Sequence, residues 1–326
     1  MSVLYISPLD YGSNASIDAM AHSLEHTLTQ ASIEFAVAYA DFRKDKWRSR
    51  TERLIHEAVA AEIEAIVLYT LDPEEPAAAV AHARSHGVPV ITLERPHFTV
   101  DASLVLPNFN HGVYMAEFLS RQLPPGARVG VIGGPGTPDD DELVLGIVRG
   151  LKLAGLKLVN DPMQPRYRNF TDDRDGGRAK TGALLRDCSR LDALVPYNDE
   201  SALGAVDMLA AAGRLGELKT VSRNGTPNAV RLVRDCMHDG TWDLDTLGIG
   251  RSAAQLVIEA VRGGNRLDGL CVAAPIGQII SAERAQSWIP WERRMTFAPL
   301  RIWEPDQRAA TRAATSDQDR TGPVRS

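Results

Sequence analysis

The sequence predicts an α/β protein built from parallel sheets with helices on both faces, divided into two lobes. Three observations lead there. Short β-branched runs alternate with longer segments of helical period along most of the chain. The strand candidates are apolar at consecutive positions, as in Ile66-Val67-Leu68 and Val129-Gly130-Val131-Ile132, which is the pattern of strands buried on both faces. The strand candidates also outnumber what one sheet usually holds, so two sheets are expected.

Taken in order, strands are expected at Val3–Ser7, Phe35–Ala40, Ala65–Thr70, Pro89–Leu93 and Leu104–Pro107, then at Arg128–Gly133, Lys157–Asn160, Ala193–Asn198 and Lys219–Ser222. Helices are expected at Ala15–Gln30, Arg50–Glu62, Pro76–His86 and His111–Gln122, then at Asp140–Ala154, Glu200–Ala212 and Ala253–Arg262. Gly87 and Gly213 follow helix ends and suit left-handed C-caps. Asp199 stands where an N-cap for the helix from Glu200 would stand. After about Leu300 the apolar period vanishes and the composition turns to Arg, Asp, Thr, Ala and Gly, so residues 301–326 read as a disordered tail.

Composition excludes several classes. The 326 residues are 44% apolar and 24% charged, enough for packed cores and too apolar for a wholly disordered chain. The formal net charge of −6 removes the bulk attraction of a nucleic-acid binder, so no direct nucleic-acid partner is expected. No apolar run approaches the roughly 18 residues of a membrane span, so no membrane insertion is expected. The three cysteines, Cys188, Cys236 and Cys271, form no CxxC pair and are expected to be buried or half-buried free thiols. Met1 and Ser2 lead straight into the first strand with no signal peptide. The protein is then cytoplasmic if Met1 is the native start, or has lost an upstream export sequence.

Motifs that invite a catalytic or metal reading fail on their surroundings. His22-Ser23-Leu24-Glu25-His26 matches H-x-x-E-H, but Met20, Leu24 and Leu28 form the apolar stripe of that helix, which turns His22 and His26 toward solvent. His82 and His86 repeat the spacing with no acid between them and read as surface residues. Gly133-Gly134-Pro135-Gly136 joins a strand to a helix as a phosphate loop would, yet Asp139-Asp140-Asp141 follows; three acids suit the helix dipole and repel a phosphate. No G-x-G-x-x-G follows the first strand and no G-x-S-x-G elbow exists. No cofactor, no metal and no catalytic residue is expected.

The informative positions are the carboxyl ends of the strands, where open α/β sheets bind ligands. Asp10, Tyr11 and Asn14 follow the first strand, Glu94 and Arg95 the fourth. Asn198 and Asp199 end the strand from Ala193, and Arg223 and Asn224 the one from Lys219. Carboxylates, amides and guanidinium groups can fork onto vicinal hydroxyls, and Phe170 or Tyr11 can stack on the C–H face of a ring. The bland alternative is that polar residues at strand ends serve solubility and capping.

At these residues the chain resembles the type I periplasmic sugar-binding proteins and the ligand domains of LacI-type regulators, over about residues 3–285. Asn198-Asp199-Glu200-Ser201-Ala202-Leu203-Gly204 is similar to their N-D-x-x-A-x-G segment. Gly87 to Arg95 is similar to their G-I-P-V-V-x-x-D-R, and Asn108 to Leu119 to their D-N-x-x-x-G-x-x-A-A-x-x-L. Asn224-Gly225-Thr226-Pro227 is similar to D-G-T-P, and Gly248–Ala260 to their penultimate helix. The resemblance implies two Rossmann-like lobes joined by a three-crossing hinge, near Leu106–Asn108, Asp243–Thr246 and Ala274–Gln278. The lobes would comprise 1–106 plus 246–274 and 107–245 plus 275–300. It implies a small polar, sugar-like solute in the interlobe cleft, an ABC transporter permease as partner and a periplasmic location.

Carried over residue by residue, Arg95 matches the arginine on sugar hydroxyls, Asn198 the ligand asparagine and Phe170 the ring-stacking aromatic. Glu94 and Asn224 stand at positions of family aspartates. The expected ligand set is therefore Asp10, Tyr11, Asn14, Glu94, Arg95, Phe170, Asn198 and Asn224. The family's arginine before the second-lobe helix is absent, with Ile147 or Leu143 there; so are its glutamine at the second crossing, near Leu244, and its Pro-Phe pair, replaced by Tyr11-Gly12-Ser13-Asn14. The half-kept set implies a modified sugar, a polyol or a less hydroxylated compound. Beside the transport receptor stand two alternatives, a cytoplasmic ligand sensor lacking the DNA-binding head and an enzyme on this scaffold, which a turnover assay would separate.

Overall fold

A computed structural model describes residues 2–72, 74–263 and 267–304. Two six-stranded sheets carry the fold. The first runs in the order β11 (Leu270–Ala273), β5 (Ala102–Val105), β4 (Val90–Leu93), β3 (Ala65–Tyr69), β1 (Ser2–Ser7) and β2 (Glu34–Tyr39). The second runs β12 (Gln278–Ser281), β10 (Gly240–Asp243), β9 (Lys219–Asn224), β8 (Ala193–Pro196), β6 (Arg128–Ile132) and β7 (Lys157–Leu158). Strand pairs are parallel except β12 against β10.

The consecutive apolar residues bury both faces, as the two-residue side-chain period requires. Val3 and Tyr5 of β1 face α1 (Ala15–Gln30) and α9 (Thr246–Arg262), while Leu4 and Ile6 face α2 (Trp47–Ala60) and α3 (Ala77–Ser85). In the second sheet, Val129 and Val131 pack on α4 (Asn108–Ser120) and α5 (Pro138–Leu153), and Ile132 and Leu194 on α6 (Arg174–Asp187) and α7 (Asp199–Ala211). Gly204 lets α7 meet α6 closely, since a Cβ there would fall 1.9 Å from Arg174 O. Gly87 and Gly213 hold the left-handed conformation expected of them, at φ +79° and +68°.

The chain passes between the sheets at Leu106–Pro107, at Leu244–Asp245 and at Ala274–Gly277. Leu106, Leu244 and Ala274 are buried in one apolar cluster that runs from lobe to lobe. Gly277 sits at φ +73°, and a Cβ there would lie 1.9 Å from Asp243 O, so the third crossing can press against the second only through glycine.

Several expectations change. β7 stops at Leu158 because the Asn160 side chain, not backbone, bonds Val131 N and O at 2.9 and 2.8 Å. β5 ends at Val105, as the chain turns at Pro107 into α4. The last long helix starts seven residues early, at Thr246, where the Asp245 side chain caps Gly248 N. Asn198 rather than Asp199 is the N-cap of α7. His22 does not face solvent: it is buried, shares a hydrogen bond with Tyr11 Oη and stacks on Phe297 at 4.6 Å. Cys188 is buried, but Cys236 and Cys271 are exposed.

The end of the chain differs most from expectation. After β12, α10 (Ala282–Ser287) packs on α8 (Pro227–Arg234) of the second lobe. The chain then returns: Trp291 in α11 (Trp291–Arg294) is buried against Ala19 and Leu247 of the first lobe. Arg301–Trp303, expected to begin a disordered tail, lies along β2 instead, with Val37 N donating to Arg301 O and Trp303 N to Val37 O. Unpaired edge groups of β2 explain this docking. The second lobe therefore does not extend to residue 300. The rest of the expected tail, 305–326, lies outside the described residues.

Candidate solute site

The carboxyl ends of both sheets face one cleft. The first lobe contributes Pro8 and Leu9 after β1, Tyr69 and Leu71 around the end of β3, and Asn14 and Ser16 at the start of α1. The second contributes Asp139 and Asp140 on α5, Asp172 before α6, Tyr197 and Asn198 before α7, and Arg223 and Asn224 at the end of β9. Leu106 and Leu244, from two crossings, close the back.

Helix starts place the amides. Asn14 caps α1, its Oδ1 accepting from Ser16 N, and Asn198 caps α7, accepting from Ser201 N. Each then has its Nδ2 free, and both turn it on Asp172: Asn198 at 2.7 Å from the same lobe, Asn14 at 3.5 Å from the opposite lobe. Tyr197 Oη also donates to Asp172. Burial pushes the Asp172 carboxyl up to about 6 against these donors. Asn224 donates to Glu200 Oε2 at 3.5 Å, and burial beside Asp172 and Asp199 raises Glu200 to about 8.

Arg223 is the cation of the lining. It is buried, donates to Asn108 Oδ1 at 2.7 Å and reaches Asp140 at 3.2 Å. Asn108 in turn donates to Glu94 Oε1 at 3.0 Å, so a chain of bonds runs from β9 through the first crossing to the end of β4. Burial and the nearby Asp139 raise Glu94 to about 8. Tyr69 Oη reaches Asp139 Oδ2 across the cleft at 3.4 Å. Glu94, Asp172 and Asn224 all hold positive φ, +74°, +51° and +128°, strain that the surrounding bonds must hold in place.

Of the expected ligand residues, the structure brings Asn14, Asn198 and Asn224 into the lining, with Glu94 behind it. It places the other four elsewhere. Arg95 is exposed and donates to Cys271 Sγ at the edge of the first sheet. Phe170 is exposed beneath Lys180. Tyr11 is 58% exposed beside His22, and Asp10 pairs with Lys44. The apolar walls come instead from Leu9, Phe42, Tyr69 and Leu71. Asp139, Asp140, Asp172 and Tyr69 escaped the ligand set read from the sequence, although the strand-end rule pointed to Arg223.

Ser222, His238 and Asp199 come together without forming a hydrolase triad. The Ser222 hydroxyl lies between the carboxylate and the ring, and Asp199 also accepts from Thr241 Oγ1 and Thr226 N. All three are buried, and the cluster ties β9 and β10 to α8. Among the described residues, no group of three or more His, Cys, Asp or Glu is placed to hold a metal ion. No described helix is long and apolar enough to cross a membrane.

Known proteins share this architecture. The D-ribose/D-allose-binding protein of Pseudomonas aeruginosa is 25% identical over 197 residues, 58% of this chain and 59% of that protein. The chain thus aligns with less than two thirds of that relative's length. The ribose import binding protein of Bacillus subtilis is 23% identical over 249 residues, 75% of this chain and 77% of the other. A solute-binding protein of an ABC transporter from Actinobacillus succinogenes, solved with D-allose, superposes with a TM-score of 0.76 at 19% identity, covering 88% of this chain and 99% of that one. With two mostly parallel sheets, three crossings and a shared cleft already in view, and a family model matching residues 5–265, this chain belongs to the periplasmic binding protein domain family.

Proposed function

We propose that the protein captures a small polar, sugar-like solute between its lobes and presents it to an ABC-type importer. The observation that carries this reading is the cleft itself. Polar side chains from both lobes converge at the strand carboxyl ends, and direct bonds such as Asn14 to Asp172 and Tyr69 to Asp139 already span it. A solute with several hydroxyls would take over those bonds as the crossings let the lobes open and close. Relatives named for ribose and allose support a sugar-sized ligand, and membership of the family supports the periplasm as the place of action. Membership of a family of binding proteins supports a receptor over an enzyme.

Thermal unfolding against a panel of sugars, polyols and sugar derivatives tests the reading. A solute at 100 times its Kd adds about 2.7 kcal/mol, which is expected to raise Tm by several degrees. A panel in which no small polar solute moves Tm overturns it.

A further inference from the structure

The cleft lining is unbalanced in charge. Among the described residues of the lining, Asp139, Asp140 and Asp172 face a single guanidinium, Arg223. Glu94 behind them and Glu200 beside Asn224 add no charge at pH 7, because burial raises both to about 8 and they keep their protons. Of the nearby cations, Arg43 pairs with Asp41 and also acts on Asp172, and Arg168 pairs with Asp141; among the described residues neither pairs with Asp139. His111, packed by Arg223, is pushed down to about 3 by burial and that charge, so it adds none.

Hydrogen-bond accounting locates the deficit. Asp140 accepts from Arg223 and from Thr137 Oγ1. Asp172 accepts from Tyr197, Asn198 and Asn14. Among the described residues, Asp139 receives only the 3.4 Å contact from Tyr69 on Oδ2, and its Oδ1 is buried without a partner. A buried carboxylate oxygen without a donor is costly. A neutral hydroxyl could supply one proton but leaves the charge excess in place. An ammonium supplies three donors and the missing positive charge.

We propose, on the reading of this cleft as the solute site, that the solute carries a protonated amine beside its hydroxyls, and that Asp139 holds that amine. The class is an amino sugar or aminocyclitol rather than a neutral sugar. Burial, with repulsion from Asp139, holds Asp140 well above the usual carboxylate range and Glu94 at about 8, and burial pushes Asp172 to about 6. A cation entering among them reverses that push, so capture of the amine releases protons.

Calorimetry on the intact protein with matched probes tests this. D-glucosamine, D-galactosamine and scyllo-inosamine are set against D-glucose, D-galactose, scyllo-inositol and N-acetyl-D-glucosamine. At least one amine is expected to bind roughly tenfold or more tighter than its neutral and acetylated counterparts. Its heat is expected to change with the ionisation enthalpy of the buffer, reporting proton release at pH 7. Asp139→Asn, nearly isosteric, is expected to erase the preference while the empty protein melts no lower than wild type, since the variant removes a buried charge that repels Asp140 and Glu94. Should that variant fail to fold, the buffer dependence of the wild type decides alone. Neutral sugars binding as tightly as their amines, or heats independent of buffer, overturn the charge assignment and leave the solute receptor standing. No binding by any probe overturns the amine, and with a flat solute panel the receptor as well.

Discussion

Replacing Glu94 by Gln changes how the stability of the empty protein depends on pH, and the structure sets the size. Glu94 is buried and accepts from Asn108 Nδ2, a bond that a glutamine Oε1 can keep. Burial and Asp139 raise its carboxyl from 4.5 to about 8 in the folded state. The folded protein therefore keeps a proton that the unfolded chain releases. The stability this confers is complete below pH 4.5 and drains away as pH rises to 8. At pH 7 the drain approaches 2.5 pK intervals, about 3 kcal/mol at most, whereas at pH 4.5 it is under about 0.5 kcal/mol. Glutamine does not ionise and escapes it. Glu94→Gln is thus expected to melt close to wild type at pH 4.5 and about 5–10 °C higher at pH 7. Thermal unfolding of both proteins from pH 4.5 to 8.5, without ligand, measures this. Melting curves that differ by the same amount at every pH refute the argument, because a difference in packing alone carries no proton.

Other substitutions probe other parts of the structure. Arg223→Ala should weaken solute binding far more than Arg95→Ala, since only the former lines the cleft; titration of both variants reading equal losses would contradict the placement. Trp291→Ala empties a buried site between Ala19 and Leu247 and should cost about 3–5 kcal/mol in denaturant unfolding. Gly277→Ala forces a Cβ toward Asp243 O and should destabilise by at least about 1–3 kcal/mol; solution scattering should also show the lobes at an altered angle. Asn198→Ala removes the cap of α7, worth about 1 kcal/mol, and a donor to Asp172, so affinity should fall beyond what the lowered Tm explains.

Elements whose packing is written in their own residues were legible in the sequence. β3 and β6 are unbroken apolar runs, and Asn14 and Asn198 announce themselves as caps beside strand ends. α6 was not legible: Gly176, Gly177 and Gly182 argue against a helix locally. Its reward is tertiary, because Gly177 packs closely on Ser201 of α7. β10 and β11 are four-residue strands that gain identity only from their neighbours. In the site, the failure was one of direction. Arg95 and Arg223 both stand at the carboxyl ends of strands, yet one turns outward to Cys271 and the other inward to Asn108. Asp139 and Asp140 read correctly as acids suited to a helix N-terminus; that they also face Tyr69 and Glu94 depends on how two sheets distant in sequence meet.

The return of the chain from the second lobe to the edge of β2 bears on the order of synthesis. Residues 108–243 supply five of the six strands of one sheet in a single stretch, ready to associate as they leave the ribosome. The other sheet begins with β1 but waits for β11, and its far edge for Arg301–Trp303. The sheet that starts with β1 is thus completed after the other, and its β2 edge stays open until Arg301–Trp303 has been made.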